Sequence, residues 1–138
     1  MRIAFDLDET LGTAITDSYS IVGFNVRKGC HDILQYLKKR HSLILWSVSN
    51  RSYVDKALRL SGLTEYFIEI YSWDDIKCDW KDIRRINADY LIDDSEYYGE
   101  KALKNGLGSK YIIIPIYGSV EDQKDPLLWT KQIRKEIK

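Results

Sequence analysis

Asp6 and Asp8 stand one residue apart near the start of the chain, and Thr10 follows two residues later. Two carboxylates held that close cannot both ionise cheaply, so one tends to keep its proton unless a cation intervenes. Such a pair suits either a metal ion or a nucleophile next to an acid. Acidic turns after strands are also common, so the pair alone does not separate chemistry from a solvated turn. The residues in front of it are more telling. Ile3, Ala4 and Phe5 form an apolar run too short for a helix and suited to a buried strand. A strand ending near Asp6 would put the pair where a parallel sheet opens its ligand crevice. Strand alternation sends Asp6 and Asp8 to the same side as long as the backbone stays extended.

Further groups with chemical potential recur at similar places. Leu43 to Trp46 is a second apolar strand and ends on Ser47. Tyr66 to Tyr71 reads as a third strand by its β-branched and aromatic content, and lysines follow it at Lys77 and Lys81. Tyr90-Leu-Ile92 is a short fourth strand that runs directly into Asp93-Asp94, and Tyr111 to Ile114 is a fifth. A strand-end serine is ordinary, a lysine is usually solvated, and an acidic pair is usually a turn. Four such groups at one edge of one sheet are much harder to assign to chance.

The segments between the strands carry helical signals. Cys30, Ile33, Leu34 and Leu37 fall on one helical face. A second helix runs to about Ser61, capped by Ser49 or Asn50 and closed by Gly62. A brief helix is expected up to Ile86, and Ser95 can cap another over Glu96–Asn105. Asp125-Pro126 predicts the start of a last helix reaching Lys138. Alternating strands and helices, with strands apolar throughout, imply an α/β fold of Rossmann-like type: three layers around a central parallel sheet of about five strands. Residues 12–25 show no helical period and read as a short flap or hairpin with Gly23 in its turn. Residues 1–138 are therefore expected to form one domain with a minimal cap.

Composition narrows the classes. Lys plus Arg and Asp plus Glu are equal at 21 each, so no overall basic field exists for extended nucleic-acid binding or an anionic membrane. Cys30 and Cys78 match no metal or redox spacing and read as reduced thiols. His31 lies off the apolar helix face and reads as a surface residue. The first strand begins almost at Met1, with no signal-peptide pattern before it, and no apolar stretch is long enough to span a bilayer. These features lead us to expect a soluble cytoplasmic protein and a monomer.

The arrangement resembles the haloacid dehalogenase-like (HAD) superfamily of phosphohydrolases over nearly the whole chain. Asp6-Leu7-Asp8-Glu9-Thr10, Leu43-Ile-Leu-Trp-Ser47 and Tyr90-Leu-Ile-Asp-Asp-Ser95 stand where that superfamily has its first, second and fourth motifs. The wording is most similar to two small-cap groups, the RNA polymerase carboxy-terminal-domain phosphatases and the magnesium-dependent phosphatase group. Val26-Arg-Lys-Gly29 stands where the first group has Arg-Pro-Gly, without the proline. In that group the motif lysine precedes the late acid pair by the interval from Lys77 to Asp93. Lys77 also falls in the loop past the third strand, whereas Lys81 is expected inside the following helix. Lys77 is therefore preferred. Asp74-Asp75 follows Trp73 rather than an apolar strand end and reads as loop.

The resemblance implies a Mg²⁺-dependent phosphatase. Asp6 would be nucleophile and metal ligand, and Asp8 would supply a backbone carbonyl to the metal and act as acid and base. Asp94, with Asp93 beside it, would complete the metal ligands. Ser47, Thr10 and Lys77 would hold the phosphoryl group. The substrate would be a phosphorylated protein, nucleic-acid end or small molecule, and an open site favours the macromolecules. Ile21, Val22 and Phe24 of the flap are candidate substrate contacts; Tyr97 and Tyr98 past Asp94 could add an aromatic rim, although packing on the helix is the preferred role for them. A phosphate-responsive or degenerate HAD-like binding or regulatory domain without turnover is the competing reading. Receiver domains share aspartates, a hydroxyl and a lysine around Mg²⁺, but they lack the second acid that Asp8 provides.

Overall fold

The computed structural model describes residues 1–138. Strand β1 (Arg2–Phe5) leads into a hairpin of β2 (Gly12–Thr16) and β3 (Ile21–Val26). Helix α1 (Cys30–Lys38) returns the chain to β4 (Ser42–Trp46), and α2 (Arg51–Ser61) to β5 (Glu69–Tyr71). A long loop reaches β6 (Tyr90–Asp93), α3 (Glu96–Lys104) joins it to β7 (Tyr111–Ile113), and α4 (Val120–Lys124) and α5 (Leu128–Glu136) close the chain.

The five-stranded sheet has the order β5-β4-β1-β6-β7, and every neighbouring pair is parallel. Phe5 lies opposite Leu45 of β4 and Ile92 of β6. The chain leaves β1 towards β4 and later crosses back to β6. The loops after these strands therefore diverge, and a crevice opens beyond the end of β1. Side-chain alternation explains the layers. Ile3, Phe5, Leu43 and Leu45 join α1, α2 and α5 in one core, whereas Ala4, Ile44, Trp46 and Leu91 pack with Ile83, Ile86 and Ala102 in another. Both faces of the sheet are covered, so its strands carry uninterrupted apolar runs. No helix is long and apolar enough to cross a membrane.

Local signals set most boundaries. Asn50 caps α2 by accepting the Tyr53 amide, and Gly62 takes the left-handed conformation after it. Ser95 caps α3 in the same way. The third strand is shorter than expected, because residues Thr64–Tyr66 form a 3-10 turn before it. The helix expected around Lys81 is a 3-10 turn over Ile83–Arg85, begun by Asp82, and Lys81 lies in the loop before it. Helix α4 was not anticipated, and the last helix starts after Pro126 at Leu128.

The flap is a hairpin as expected, but its turn is residues 17–20, where Asp17 Oδ1 accepts the Tyr19 and Ser20 amides. Gly23 lies within the ladder, opposite Ile15. Gly12 lets the hairpin fold back beside the acids: a Cβ there would sit 2.0 Å from the Asn25 carbonyl oxygen. Ile21 and Phe24 are buried in the main core, and only Val22 of the three apolar flap residues faces outward. The expectation that all three contact a substrate is thus corrected. Ile21 and Phe24 anchor the flap.

Candidate active site

The end of β1 carries Asp6, whose amide continues the ladder by bonding to Ile92 O at 3.0 Å. The chain then turns sharply: Leu11 N bonds to Leu7 O at 2.9 Å, and Glu9 takes a left-handed φ of 63°. That turn separates the two acids. Asp6 faces β6 and the loop after β5, and Asp8 faces α2.

Lys81 is the cation of the site. Its Nζ donates to Asp6 Oδ1 at 2.8 Å and Asp93 Oδ2 at 2.9 Å, and the residue is 1% exposed. Burial alone would lower its pKa, but Asp6 and Asp93 outweigh that and hold the ammonium charged. The loop that carries it is pinned from β7. Tyr111 Oη donates to Lys81 O at 2.6 Å and accepts the Ile83 amide at 2.9 Å. The Tyr98 ring centre lies 5.6 Å from the ammonium. Lys77, the residue preferred from sequence, is exposed, and its carbonyl accepts from Arg85. The placement of the lysine is corrected accordingly. The Tyr111 hydroxyl holds the stretch around Lys81 as loop, where a helix is expected from the sequence.

Thr10 Oγ1 lies 3.0 Å from Asp6 Oδ2 and 3.1 Å from Asp94 Oδ1. It is fully buried, and its single hydroxyl proton is directed at carboxylates. The expected contact with a phosphoryl group therefore gives way to a role in orienting two acids. Oxygens of Asp6, Asp93 and Asp94 all lie within 4.8 Å of one another. The Asp94 carboxyl is pushed up to about 7, by burial first and then by the charges of Asp6 and Asp93. Asp8 contributes no carboxylate to this group.

Asp8 instead accepts from the Tyr53 hydroxyl at Oδ1 and from Ser49 Oγ at Oδ2, the latter at 3.4 Å. Its pKa is raised, chiefly by burial, with the Tyr53 hydrogen bond pulling the other way and the charge of Asp6 adding to the rise. Ser47 follows β4 two residues beyond Leu45, is buried, and accepts the Ser49 amide at 3.0 Å. Tyr97 points outward against Lys101, while Tyr98 is half-buried beside the ammonium. Asp74 and Asp75 bind Arg51 at the start of α2, a loop staple as expected.

Tyr53, Ser49 and Arg27 have no part in the site expected from sequence, where Ser49 is only a candidate cap of α2; the cap is Asn50. Arg27 is buried, pairs with Asp122 at 2.8 Å, and donates to Pro115 O at 2.7 Å and Thr10 O at 3.3 Å. It ties the Thr10 turn to the chain's last third, and the Arg-Lys-Gly segment was its only signal. Tyr53 could have been found from the cap at Asn50, which sets its place in the first turn of α2.

Carboxylates gathered beyond the central strand of a three-layer parallel sheet are the arrangement of the HAD-like class. Residues 2–128 match the NLI interacting factor-like phosphatases, and the chain belongs to that family. No curated protein matches the sequence. Among solved structures, the fold is similar to a putative beta-phosphoglucomutase from Thermotoga maritima, with a TM-score of 0.67, 15% identity and 99% coverage of both chains. It is also similar to a fission yeast RNA polymerase II CTD phosphatase, an Fcp1 variant bound to beryllium fluoride: TM-score 0.61, 16% identity, 84% of this chain and 41% of that one. A HAD-superfamily hydrolase from Ehrlichia chaffeensis gives a TM-score of 0.55 at 17% identity, over 84% of this chain and 63% of that one. The chain thus spans less than two thirds of the latter two.

Proposed function

We propose that this phosphatase hydrolyses phosphate monoesters through a phosphoryl group carried transiently on Asp6, with Mg²⁺ held by Asp6 and Asp94, and with Asp93 beside them. The observation that carries the reading is charge balance. Three carboxylates meet within 4.8 Å, and Lys81 is the one ammonium bonded to them. Fully ionised, the group has an excess of two negative charges, which a divalent cation would balance. The donors are all hard oxygens, which suits Mg²⁺. When bound, the ion would offset charge on the phosphoryl oxygens and on the acids.

The chain's own residues supply the rest. Asp6 attacks phosphorus, and the P–O bond to the leaving group breaks as Asp8 protonates the departing oxygen. Asp8 then takes a proton from the water that attacks the phosphoaspartate, which releases inorganic phosphate and restores Asp6. Lys81 orients Asp6 through the bond from its ammonium. Two unit charges near 4 Å interact by roughly 4 kcal/mol at an effective dielectric of about 20, so its ammonium matters when a dianion approaches. Ser47 Oγ accepts the Ser49 amide, and its O–H is a donor for a phosphoryl oxygen.

The substrate we infer is a phosphate displayed on a polypeptide. The flap is a two-stranded hairpin anchored through Ile21 and Phe24. A shallow groove lined by Val48, Asn50, Trp73, Cys78 and Tyr98 adjoins the Lys81 ammonium through the Tyr98 ring. Trp73 and Val48 are 38% and 42% exposed there. No Lys or Arg lines it, which suits a peptide better than successive nucleotide phosphates. The test is kcat/KM with Mg²⁺ for phosphopeptides, phosphorylated oligonucleotide ends and sugar phosphates, repeated in EDTA. Preference for phosphopeptides and loss of activity in EDTA are expected. Preference for a sugar phosphate would overturn the substrate, and full activity in EDTA would overturn the metal.

A further inference from the structure

We infer that Tyr53 is a positioning residue for the general acid: its hydroxyl fixes which oxygen of Asp8 carries the transferable proton. The inference rests on the phosphatase reading above and adds a residue to it. Asn50 accepts the Tyr53 amide at 2.8 Å, so the helix cap sets the backbone from which the ring departs. The ring is half-buried against the main core, which restricts its swing. Its hydroxyl donates to Asp8 Oδ1 in a short hydrogen bond. Both oxygens have a hydroxyl neighbour, but the one held in the short Tyr53 bond is the poorer place for a carboxylic proton, because the Ser49 contact at 3.4 Å is much the weaker. The proton is therefore directed to Oδ2, the oxygen facing Ser49. Ser49 can both donate to that oxygen when it is ionised and accept from it when it is protonated.

Ser49 also belongs to the connection that carries Ser47, since its amide donates to Ser47 Oγ at 3.0 Å. Asp8 Oδ2 is thus linked through Ser49 to the Ser47 hydroxyl proposed to meet the phosphoryl group. Tyr53 holds the carboxyl plane in this orientation. Without its hydroxyl, either oxygen can take the proton and the carboxyl can rotate away. Proton transfer suffers, while the Asp6 cluster, which Tyr53 does not touch, is left as it was.

The experiment compares wild type, Tyr53→Phe, Asp8→Asn and the double variant as full chains with Mg²⁺. Two substrates are used: p-nitrophenyl phosphate, whose leaving group departs without a proton, and a phosphoserine peptide, whose alkoxide needs one. The readout is kcat/KM, which reports the steps through attack by Asp6. General acid catalysis contributes about 10²–10⁴-fold, so Asp8→Asn should lose that on the peptide, and Tyr53→Phe about tenfold or more. Both should lose much less on p-nitrophenyl phosphate, and Tyr53→Phe should add nothing in the Asp8→Asn background. Phe keeps the ring, and equal Tm values would show that packing is intact. Equal losses on both substrates, or an additive loss in the double variant, would overturn the role of Tyr53 while the reading of Asp6 and Asp8 stands. If wild type turns over neither substrate, the phosphatase reading falls, and this inference with it.

Discussion

The Lys81 ammonium and the Asp6 carboxylate stand 2.8 Å apart, although 75 residues separate them in sequence. The contact is dry, because Lys81 is 1% exposed and Asp93 takes a second bond at 2.9 Å. A buried ammonium with two carboxylate partners keeps its charge, and the Asp6 oxygen facing it is fixed in direction. Its loop is held at the Lys81 carbonyl and at the Ile83 amide just after it by the Tyr111 hydroxyl. The site is therefore organised before a phosphate arrives, which is the condition under which fixed charges lower a barrier most.

Lys81→Met should lower kcat/KM by about 10²–10³, the scale seen when one preorganised electrostatic contact is lost. Lys77→Ala should stay within about twofold, since Lys77 is an exposed side chain off the acid cluster. Breaking a buried pair costs about 3–5 kcal/mol of stability, so Tm should fall in Lys81→Met but not in Lys77→Ala. Steady-state rates with thermal melts check both. The reverse ordering of the two variants would remove Lys81 from the mechanism.

How far the sequence disclosed this site differs from group to group. Asp6, Ser47 and Asp93-Asp94 were legible because each ends an apolar run, and a strand's end in a parallel sheet is also its ligand edge. Lys81 was not legible. Its loop is held by a hydroxyl from β7, 30 residues away, and local propensity carries no trace of that contact. Tyr53 was hidden differently: its cap was visible, but the direction of its ring depends on how α2 lies against the turn after β1. Helix α4 is signalled only by the short Ser119–Asp122 cap, and Pro126 places the expected helix start further along. Buried Arg27 explains that helix, since Asp122 is its partner.

Asp6→Asn should abolish turnover, because an amide is neither nucleophile nor anionic ligand. Asp8→Asn should leave Asp6 able to attack a substrate with a good leaving group and then slow the release of phosphate. Rapid-quench assays with p-nitrophenyl phosphate should show a burst of nitrophenol followed by a slow phase, with phosphate bound covalently to the protein. A steady-state rate equal to wild type in Asp8→Asn would end its assignment as acid and base.

Asp94 makes the metal-free protein sensitive to pH. Its carboxyl is raised to about 7, so between the ordinary carboxylate range and neutrality the folded chain keeps a proton that the unfolded chain has released. Stability therefore falls as pH rises through that window and levels off above it. In EDTA, Asp94→Asn should melt higher than wild type at about pH 8, with the gap closing towards about pH 4. Differential scanning calorimetry across pH reads this directly. A variant that melts lower than wild type at the alkaline end would contradict the charge-repulsion account.

Mg²⁺ should reverse that penalty. Ligands that bind only the folded state stabilise it by mass action, about 2.7 kcal/mol at a hundred times Kd. Wild-type Tm should rise with Mg²⁺ at neutral pH, and the rise should be lost in Asp6→Asn and reduced in Asp94→Asn. Asp8→Asn, which keeps its backbone carbonyl, should retain it. An equal Mg²⁺ response in all four proteins would place the ion elsewhere.

The groove beside Lys81 yields the last expectation, on specificity. Val48 and Trp73 present apolar surface to solvent, and Tyr98 forms the wall next to the ammonium. Trp73 is held in place by its amide, which donates to Ser49 O at 2.8 Å, so the wall is tied to the same connection that carries Ser47. A peptide whose phosphorylated residue enters the acid cluster would lay a neighbouring apolar side chain on this surface. Burying one such side chain contributes about 1.5–3 kcal/mol, and Trp73→Ala removes the largest part of the wall. The variant should raise KM for a phosphopeptide with an aromatic or branched neighbour by about tenfold, with kcat little changed, as expected when binding is lost equally from ground and transition states. For the same peptide with alanine neighbours, and for p-nitrophenyl phosphate, KM should hardly move. The comparison separates the groove from the chemistry: equal effects on all three substrates would mean that Trp73 supports the site rather than reads the substrate.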